Sequence, residues 1–456
     1  MGATRREFLA APALLAAEKR PNILLLLADN WAYPHAGSCG DAVVRTPVFD
    51  KLAREGVLFK NAFAPNPSCS PSRSSLLCGQ ETHRLREAAS LYGNLSPQFP
   101  SYPRLLESAG YHTGFAGKGW GPGSPEKSGY KQNPAGKSFQ DFAAFLKARP
   151  PGAPFCFWFG SHDPHVPWNR GQERRSSLDA SKIRVPGHLP DQAPVREDIR
   201  NYYCEVEQFD FECGEIIDAL RRSGELDQTL VLMTSDNGWQ MPRGLANCYD
   251  LGVRIPMAMR LPGVLPARSI RQDFVSIADL MPTFLEAAGH AIPKGVTARS
   301  LLKPGNREWM FVERERHANV RRGNLSYPVR GIRTRNFLYL RNLEPDRWPA
   351  GDPELYWAVG PYGDIDDSLT KRLLMEQKPQ PYFDLCMGKR PGEELYDLRA
   401  DPWQVRNVAG EAAFAATKRE LSARVTAWMK ATGDPRAAGS TDIWDKAPYI
   451  GPPKKK

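Results

Sequence analysis

Continuous apolar runs alternate with longer amphipathic stretches through roughly the first two thirds of the chain. Three runs of strand length, at 22–28, 155–160 and 228–234, show no polar alternation. Runs of this kind are typical of parallel strands that are buried on both faces. Helical patterns lie between them, the longest at about 196–224. This succession predicts an α/β fold with a large, mostly parallel central sheet flanked by helices.

The pattern changes after the Pro- and Gly-containing turn at 303–305. Short alternating runs at 327–333 and 337–340 predict a smaller antiparallel sheet, and a long Pro- and Gly-rich loop follows them. We therefore expect the chain to divide into three segments: 1–18, 19–304 and 305–456.

Two helices are predicted in more detail. The stretch from Val275 to Met281 is expected to begin a helix that ends at Gly289. On the long helix at 196–224, spacing places four aromatic side chains in the core rather than in a binding site. These side chains are Tyr202, Tyr203, Phe209 and Phe211.

The first residues have the pattern of an export signal. Arg5 and Arg6 precede a short apolar run at 8–17, and this segment resembles a twin-arginine signal. The resemblance implies a bacterial protein that the twin-arginine translocase exports to the periplasm or the medium. A disordered leader is the alternative.

Composition limits the classes of partner. The chain has 456 residues, of which 41% are hydrophobic and 25% charged, and its net charge of +10 favours acidic partners. No nucleic-acid-binding motif is present, and no apolar run is long enough to span a membrane. The basic tail at 454–456 is expected to be solvated. The seven cysteines other than Cys69 form no C-x-x-C pair and are expected to be buried.

Acidic and amide residues follow two of the predicted strands. Asp29 and Asn30 come directly after the first run, and Asp236 and Asn237 come just after the run at 228–234. Ligand sites in open α/β sheets lie beyond the carboxyl ends of the strands, so these two pairs can meet at one point. Their oxygen atoms suit a hard divalent cation, with calcium favoured over magnesium.

A reactive group is predicted at the start of a short helix. Cys69 begins the sequence Cys-Ser-Pro-Ser-Arg, in which Pro71 is typical of a first helical turn and Arg73 adds a fixed cation. Free N–H groups and the helix dipole favour an anion at such a position.

This C-x-P-S-R sequence resembles the signature of the type I sulfatases, which belong to the alkaline-phosphatase-like superfamily. The resemblance implies that Cys69 is converted to formylglycine by a formylglycine-generating or radical sulfatase-maturating enzyme. It also implies that the two acidic-amide pairs hold calcium beside this group. The family usually has a second aspartate where this chain has Asn30, which removes one negative charge from the site.

Further residues match the family in order along the chain. Lys118 corresponds to a lysine that binds sulfate, and His83 to a histidine near formylglycine. His165 resembles the general acid that protonates the leaving group, with His162 in reserve, because histidine titrates near neutral pH.

Two positions depart from the family pattern. Trp120 stands where many sulfatases have a histidine, and its ring is expected to stack on a sugar. Leu245 occupies the position of a sulfate-binding cation, and Arg243 is the nearest substitute.

The resemblance is closest to the sulfamidase-like branch, which includes N-sulfoglucosamine sulfohydrolase. It implies hydrolysis of a sulfate ester or N-sulfate on a sulfated oligosaccharide or polysaccharide. His317 and Arg347, in the C-terminal segment, are expected to bind a carboxylate or second sulfate and so to contribute to specificity.

Other functions stay open at this point. A phosphonate or phosphate monoester hydrolase of the same fold would keep the metal pairs and the modified cysteine. Asn30, Trp120 and Leu245 would suit a catalytically impaired glycan-binding paralogue. A metal-dependent phosphotransferase would use Ser70 or Ser72 as its nucleophile.

Overall fold

A computed structural model describes residues 20–172, 178–354, 360–439 and 441–449. The predicted export signal at 1–18 and the basic tail at 454–456 lie outside the described residues. Within the described part, the chain forms a nine-stranded, mostly parallel sheet and a four-stranded antiparallel sheet. The predicted fold class is therefore confirmed.

The large sheet consists of β1 (Asn22–Ala28), β2 (Val57–Phe63), β3 (His112–Gly117), β4 (Lys137–Ser138), β5 (Phe155–Gly160), β6 (Thr229–Ser235), β7 (Arg254–Ile255), β8 (Met257–Arg260) and β9 (Ser269–Ser276). Its strand order is β4-β3-β5-β1-β6-β8-β2-β7, with β9 also paired to β2. The small sheet consists of β10 (Trp309–Arg314), β11 (Val329–Thr334), β12 (Phe337–Asn342) and β13 (Glu393–Asp397), paired in that order.

The helices are α1 (Pro47–Glu55), α2 (Cys69–Cys78), α3 (Tyr102–Ser108), α4 (Phe142–Ala148), α5 (Ala193–Arg222), α6 (Asp250–Val253), α7 (Leu280–Ala287), α8 (Leu369–Gln377), α9 (Tyr382–Met387), α10 (Ala415–Ala431) and α11 (Ile443–Lys446). None of the described helices is both long and apolar enough to cross a bilayer.

Strand β1 lies at the centre of the core. Its side chains alternate between two hydrophobic clusters, with Leu24 and Leu26 on one face and Ile23 and Leu25 on the other, all fully buried. Both neighbours, β5 and β6, run parallel to it. Burial on two faces explains why this segment is apolar at consecutive positions.

The carboxyl ends of four strands meet at one edge of the sheet. The backbone N–H of Asp29 donates to the carbonyl of Asp163 at 3.0 Å, and that of Asp236 donates to Ala28 at 3.2 Å. The N–H of Lys118 donates to Gly160 at 2.7 Å. These bonds hold the segments that follow β1, β3, β5 and β6 side by side.

The small sheet packs between the large sheet and α10. On one face, Val312 and Leu338 join a cluster with Phe63 and Phe274 of the large sheet. On the other face, Ile332 packs with side chains of α10. The N–H of Glu313 donates to Pro65 at 2.8 Å, which ties β10 to the segment that leads into α2.

Three local predictions were wrong. The helix expected from Val275 begins at Leu280, because β9 continues to Ser276 and a short 3-10 turn with a Ser276 capping box follows. Phe211 is 49% exposed, although the other three aromatic residues on α5 are buried as predicted. The region expected to be a loop after β12 contains α8 and α9.

The seven cysteines other than Cys69 are buried, as predicted. All eight are free and buried. Their positions in the core fit the role of small apolar side chains.

Several charged residues of the C-terminal region are buried. Arg314 and Arg321 both bind the Asp364 carboxylate, and all three side chains are at most 2% exposed. Arg330 binds Glu315 at 2.7 Å and Asp434 at 2.6 Å. Such groups stay in a core because each guanidinium has carboxylate partners that offset the loss of water.

Replacing Asp364 with Asn should destabilise the fold strongly. Two buried guanidinium groups would then lack a charged partner, and loss of one member of a buried ion pair costs about 3–5 kcal/mol. The free energy of unfolding, measured by chemical denaturation at neutral pH, tests this. The control is Glu354→Gln, whose partner Arg322 is 78% exposed, so its effect should be small. Equal effects in the two variants would contradict the assignment.

Candidate active site

Helix α2 presents Cys69 as its first residue. Ser68 before it has an extended backbone, and Gly79 ends the helix in the left-handed conformation with φ of 64°. Glycine favours that conformation because it has no Cβ. All ten helical residues are buried, and the Cys69 side chain is 4% exposed. The helix is thus fixed in the core, with its N-terminus at the edge of the sheet.

The two acidic-amide pairs converge on Cys69. Its Sγ atom lies 3.5 Å from Oδ1 of Asp29 and 3.9 Å from Oδ1 of Asn30. From the other strand, Nδ2 of Asn237 lies 3.8 Å from the same sulfur. One ligand atom each from Asp29, Cys69 and Asp236 falls within a mutual distance of 4.8 Å.

Two cations balance the carboxylates. Arg73 donates from Nε to Oδ2 of Asp236 at 2.8 Å, and its terminal nitrogen is 3.5 Å from Oδ1 of Asp29. The same guanidinium donates to the carbonyls of Lys118 and Gly119 at 2.8 and 2.7 Å. The Lys118 ammonium forms an ion pair with Oδ2 of Asp29. Two acids and two bases therefore share one buried site.

Burial sets the protonation states. Burial alone would raise the pKa of Asp29, but Lys118, His165 and Arg73 hold that pKa well below its usual range. Burial lowers the pKa of Lys118, and Asp29 more than reverses that effect. Burial raises the pKa of the Cys69 thiol far above its usual value. An unmodified Cys69 is therefore a neutral thiol at neutral pH and a weak nucleophile.

The donor set suits a hard cation. It offers carboxylates from Asp29 and Asp236 and amide oxygens from Asn30 and Asn237, which calcium prefers to nitrogen or sulfur. Oδ1 of Asn237 is buried and has no hydrogen-bond partner among the described residues. Gln240, which the sequence analysis did not identify, accepts a hydrogen bond from Asn30 at 3.2 Å.

Asn30 adopts a left-handed backbone with φ of 75°. This conformation brings its N–H to within 3.1 Å of Oδ1 of Asp236. Asparagine enters the left-handed region more readily than most residues do. Asn30, in place of the second aspartate that is usual in the family, is therefore compatible with the backbone conformation at this position.

A cavity of about 1110 Å³ opens beside these groups, and its walls include Asp29, Lys118, His162 and His165. Nδ1 of His165 lies 2.7 Å from the carbonyl of Val166, which fixes Nδ1 as the donor and leaves Nε2 for proton exchange. Burial lowers the pKa of His162. The hydrogen bond to Val166 thus fixes the orientation of the His165 ring in the wall of the cavity.

Two predicted substrate contacts do not fit the structure. The Trp120 side chain is 3% exposed and donates from Nε1 to Ser74 at 2.8 Å, so it has no free face for a sugar. The Arg243 guanidinium donates to Leu385 at 2.7 Å and to Tyr396 at 3.2 Å. Its bonds support the C-terminal region rather than the group around Cys69.

The C-terminal candidates are also held by other protein groups. Arg347 binds Asp445 at 3.2 Å and the carbonyl of Ser326 at 2.9 Å. His317 is buried, and its Nδ1 lies 2.7 Å from the hydroxyl of Ser68. Burial lowers the pKa of His317 to about 4, so it is neutral and unsuited to binding a carboxylate as a cation. Neither residue presents a free charge to substrate.

His83 lies behind α2 with both ring nitrogens engaged. Nδ1 is 2.7 Å from Oε2 of Glu313, and Nε2 is 3.0 Å from the hydroxyl of Thr432. The structure therefore separates His83 from the histidines of the cavity. Its contacts join the N-terminal helix region to the small sheet.

Asp366 is a further acidic residue near the site. Its carboxyl interacts electrostatically with His165, Asp29 and Lys118, and burial raises its pKa. One of its oxygens has no hydrogen-bond partner within the described chain. No local motif marks it, because the fold brings it near His165 from a segment some two hundred residues further along the chain.

Comparison with known proteins identifies related chains. The Sulfatase family model matches residues 21–146 and 135–290. N-sulphoglucosamine sulphohydrolase from Homo sapiens is 30% identical over 470 residues, which cover 91% of this chain and 91% of that protein. The matched range contains the segments that carry Asp29, Cys69 and Asp236.

Two solved structures share the fold. A protein in complex with its substrate D-glucosamine-2-N,6-O-disulfate has a TM-score of 0.66 and 19% identity, covering 93% of this chain and 100% of that chain. Phosphonate monoester hydrolase of Agrobacterium radiobacter has a TM-score of 0.68 and 18% identity, covering 91% and 96%. At these identities, the two structures show the fold and not the reaction.

The ion pair between His83 and Glu313 should make stability depend on pH. Burial lowers the pKa of His83, but Glu313 raises it to above its ordinary value. When the pKa of a histidine is higher in the folded state than in the unfolded state, protonation stabilises the fold. This stabilisation is complete below the unfolded pKa of about 6.5 and is lost as pH rises through the folded pKa. The loss of unfolding free energy in His83→Gln should therefore be larger at pH 6 than at pH 9.

Chemical denaturation of both proteins at the two pH values measures this difference. Glu313→Gln is the matched variant, because it leaves His83 in place and removes the group that raises its pKa. A His83→Gln effect that grows with pH would contradict the assignment.

Proposed function

Since this chain belongs to the sulfatase family and is therefore a sulfuric ester hydrolase, we propose that it hydrolyses a sulfate ester or N-sulfate of a sulfated carbohydrate. The relative at 30% identity is named for N-sulphoglucosamine, a sugar of this class. The net charge of +10 suits a polyanionic substrate. The observation that carries the proposal is the contact of Cys69 with both acidic-amide pairs, flanked by Arg73 and Lys118.

The nucleophile in this proposal is formylglycine made from Cys69. A buried neutral thiol is a poor nucleophile, so the proposed reaction needs a modified side chain at this position. The hydrated aldehyde supplies a hydroxyl nucleophile at this position. Its formation requires a formylglycine-generating or radical sulfatase-maturating enzyme as a partner.

Calcium is the proposed metal, with magnesium second. Asp29, Asn30, Asp236 and Asn237 would hold it through oxygen atoms. A bound divalent cation supplies positive charge that polarises the nucleophile and the sulfate oxygens.

Residues of the chain perform the remaining steps. Lys118 and Arg73 are charged, and they neutralise the oxygens of the sulfate group as its negative charge is redistributed. Nε2 of His165 gives a proton to the departing alcohol or amine, with His162 as the alternative donor. The wall of the cavity beyond Lys118 holds the leaving sugar.

The chain's location and organisation belong to the same proposal. A twin-arginine translocase would export the protein to the periplasm or medium, where sulfated polysaccharides are accessible. Segment 19–304 would form the catalytic unit. Segment 305–456 would contribute to specificity through Asp366, since the clusters around Arg347 and His317 are engaged elsewhere.

Cys69→Ala should lower turnover of an aryl sulfate by more than about a thousandfold while the protein stays folded, because the nucleophile is lost. In a host with a maturating enzyme, the wild-type peptide that contains Cys69 should be lighter than the thiol form by the difference between a thiol and an aldehyde. Kinetics, circular dichroism and peptide mass spectrometry give the three readouts. An active preparation with only unmodified thiol would overturn the formylglycine step. An aryl phosphonate monoester serves as the control substrate for the alternative hydrolase.

Asp29→Ala and Asp236→Ala should each remove calcium and activity, because a hard cation held by few carboxylates loses much of its affinity with each one. Asn30→Asp is the matched variant and should retain the metal, since it adds a carboxylate at the same position. Metal content of the purified proteins, measured by mass spectrometry, checks the result. Full calcium stoichiometry in Asp29→Ala would show that the metal lies elsewhere.

A further inference from the structure

A second, smaller cavity of about 200 Å³ lies between the Tyr33 segment, α6 and the C-terminal region. Its lining shares no residue with the cavity beside Lys118. Arg184 and Trp403 lie at its accessible side, where Arg184 is exposed and Trp403 half-buried. His188 and Arg243 line its inner part, and each is at most 2% exposed.

Several buried nitrogens that line this cavity lack a hydrogen-bond partner. Nε of Arg243 and Nε of Arg254 are unpartnered within the described residues. The His188 ring forms no hydrogen bond of good geometry there either, although the backbone of Pro242 lies beside it. Most buried polar atoms in proteins are hydrogen-bonded, and leaving one unsatisfied is costly. Three residues with unsatisfied nitrogens around one cavity indicate a missing acceptor.

The same cavity has an excess of positive charge. Arg243 forms no ion pair with any described residue; it donates only to the carbonyls of Leu385 and Gln404 and to the Tyr396 hydroxyl. Buried cations are normally paired with acids. Arg184 likewise has no ion pair in the described part of the chain.

Asp250 is the carboxylate among the lining residues. It is shared between Arg333 at 2.8 Å and Arg254 at 3.7 Å. Outside the lining, Glu394 accepts a hydrogen bond from the Tyr249 hydroxyl and acts electrostatically on Arg243. These two acids still leave an excess of positive charge beside Arg184, Arg243 and Arg254. The missing acceptor is therefore expected to be negatively charged.

We propose that this cavity is a second oxyanion-binding site, which takes a sulfate group through Arg184, His188, Arg243 and Arg254. The sulfate oxygens accept hydrogen bonds from the arginine nitrogens and from the single N–H of the neutral His188 ring, and they supply the missing negative charge. The sulfate comes either from free inorganic sulfate or from a sulfate ester on a glycan chain. The proposal goes beyond the hydrolytic site and does not depend on formylglycine or calcium.

The position of the cavity links it to the loop after β6. The N–H groups of Gly238 and Trp239 donate to Gly252 and Leu251 of α6, both at 2.9 Å. Leu251 lines the cavity, and Arg243 belongs to the same loop as Asp236. The cavity therefore borders the loop that also carries Asp236.

Isothermal titration of the full-length protein with sodium sulfate, at constant ionic strength adjusted with sodium chloride, tests the site. A Lys118→Ala background weakens binding at the hydrolytic site, so that the second site dominates the signal. In this background, Arg184→Gln should weaken sulfate binding about fivefold through loss of a charge-assisted hydrogen bond, and His188→Phe about threefold, because burial lowers the pKa of His188 and its neutral ring contributes one uncharged hydrogen bond. Arg419→Gln, at another exposed arginine, is the matched control and should change nothing.

A heparin hexasaccharide titrated into the same proteins distinguishes the two sources. If inorganic sulfate binds and Arg184→Gln weakens that binding, the result supports a site for the free anion. Binding of the hexasaccharide alone, weakened in the same way, supports a site for a sulfated chain. Unchanged binding of both ligands in Arg184→Gln overturns the proposal even if His188→Phe fails to fold.

Aryl sulfate turnover of Arg184→Gln, with Lys118 intact, separates the two hypotheses. It should equal that of wild type, since Arg184 does not line the hydrolytic cavity. Loss of that turnover together with loss of sulfate binding would place Arg184 in the hydrolytic site and contradict a separate one. An inactive wild-type protein that still shows the Arg184-dependent binding would instead refute the proposed hydrolysis alone.

Discussion

Two carboxylates brought together in the core, on strand ends only a few ångströms apart, place a constraint on everything around them. Asp29 and Asp236 repel each other and have lost their water, so the site forms only if cations reach it. Arg73 approaches from α2 and Lys118 from the end of β3. Asp29 follows β1 and Asp236 follows β6, so the parallel pairing of β1 with β6 and the burial of α2 bring the carboxylates and Arg73 together.

The small sheet supports this group from behind. Glu313 binds His83, and His317 binds Ser68, the residue that precedes Cys69. These contacts make β10 and the segment that follows it a wall for α2. Two buried ion pairs, Arg330 with Asp434 and Arg321 with Asp364, stiffen that wall, because a charged group in the core can move only with its partners. The geometry of the active site at the edge of the large sheet therefore depends on the packing of the small sheet.

Local patterns predicted much of this architecture. The apolar runs at β1, β5 and β6 reveal burial on both faces, and strand ends mark where Asp29 and Asp236 meet. Cys69 and Arg73 form a motif within one helical turn. Such signals are local, so they can be read from one segment at a time.

Long-range contacts are what the sequence could not predict. Whether Arg243, Trp120 or Arg347 points to substrate depends on distant partners such as Leu385, Ser74 and Asp445. Asp366 comes near His165 and Lys118 only through the fold of the C-terminal region. The capping box at Ser276 also depends on where β9 ends, which sets the start of α7 four residues after β9.

The burial of α2 constrains the order of events in the life of the protein. With Cys69 only 4% exposed and all ten helical residues enclosed, a second enzyme could not thread this segment into its own catalytic cleft without unfolding the core. Any enzymatic change to Cys69 must therefore take place on the nascent or unfolded chain. If activity requires such a change, the fraction of active molecules is set before the core closes over Cys69.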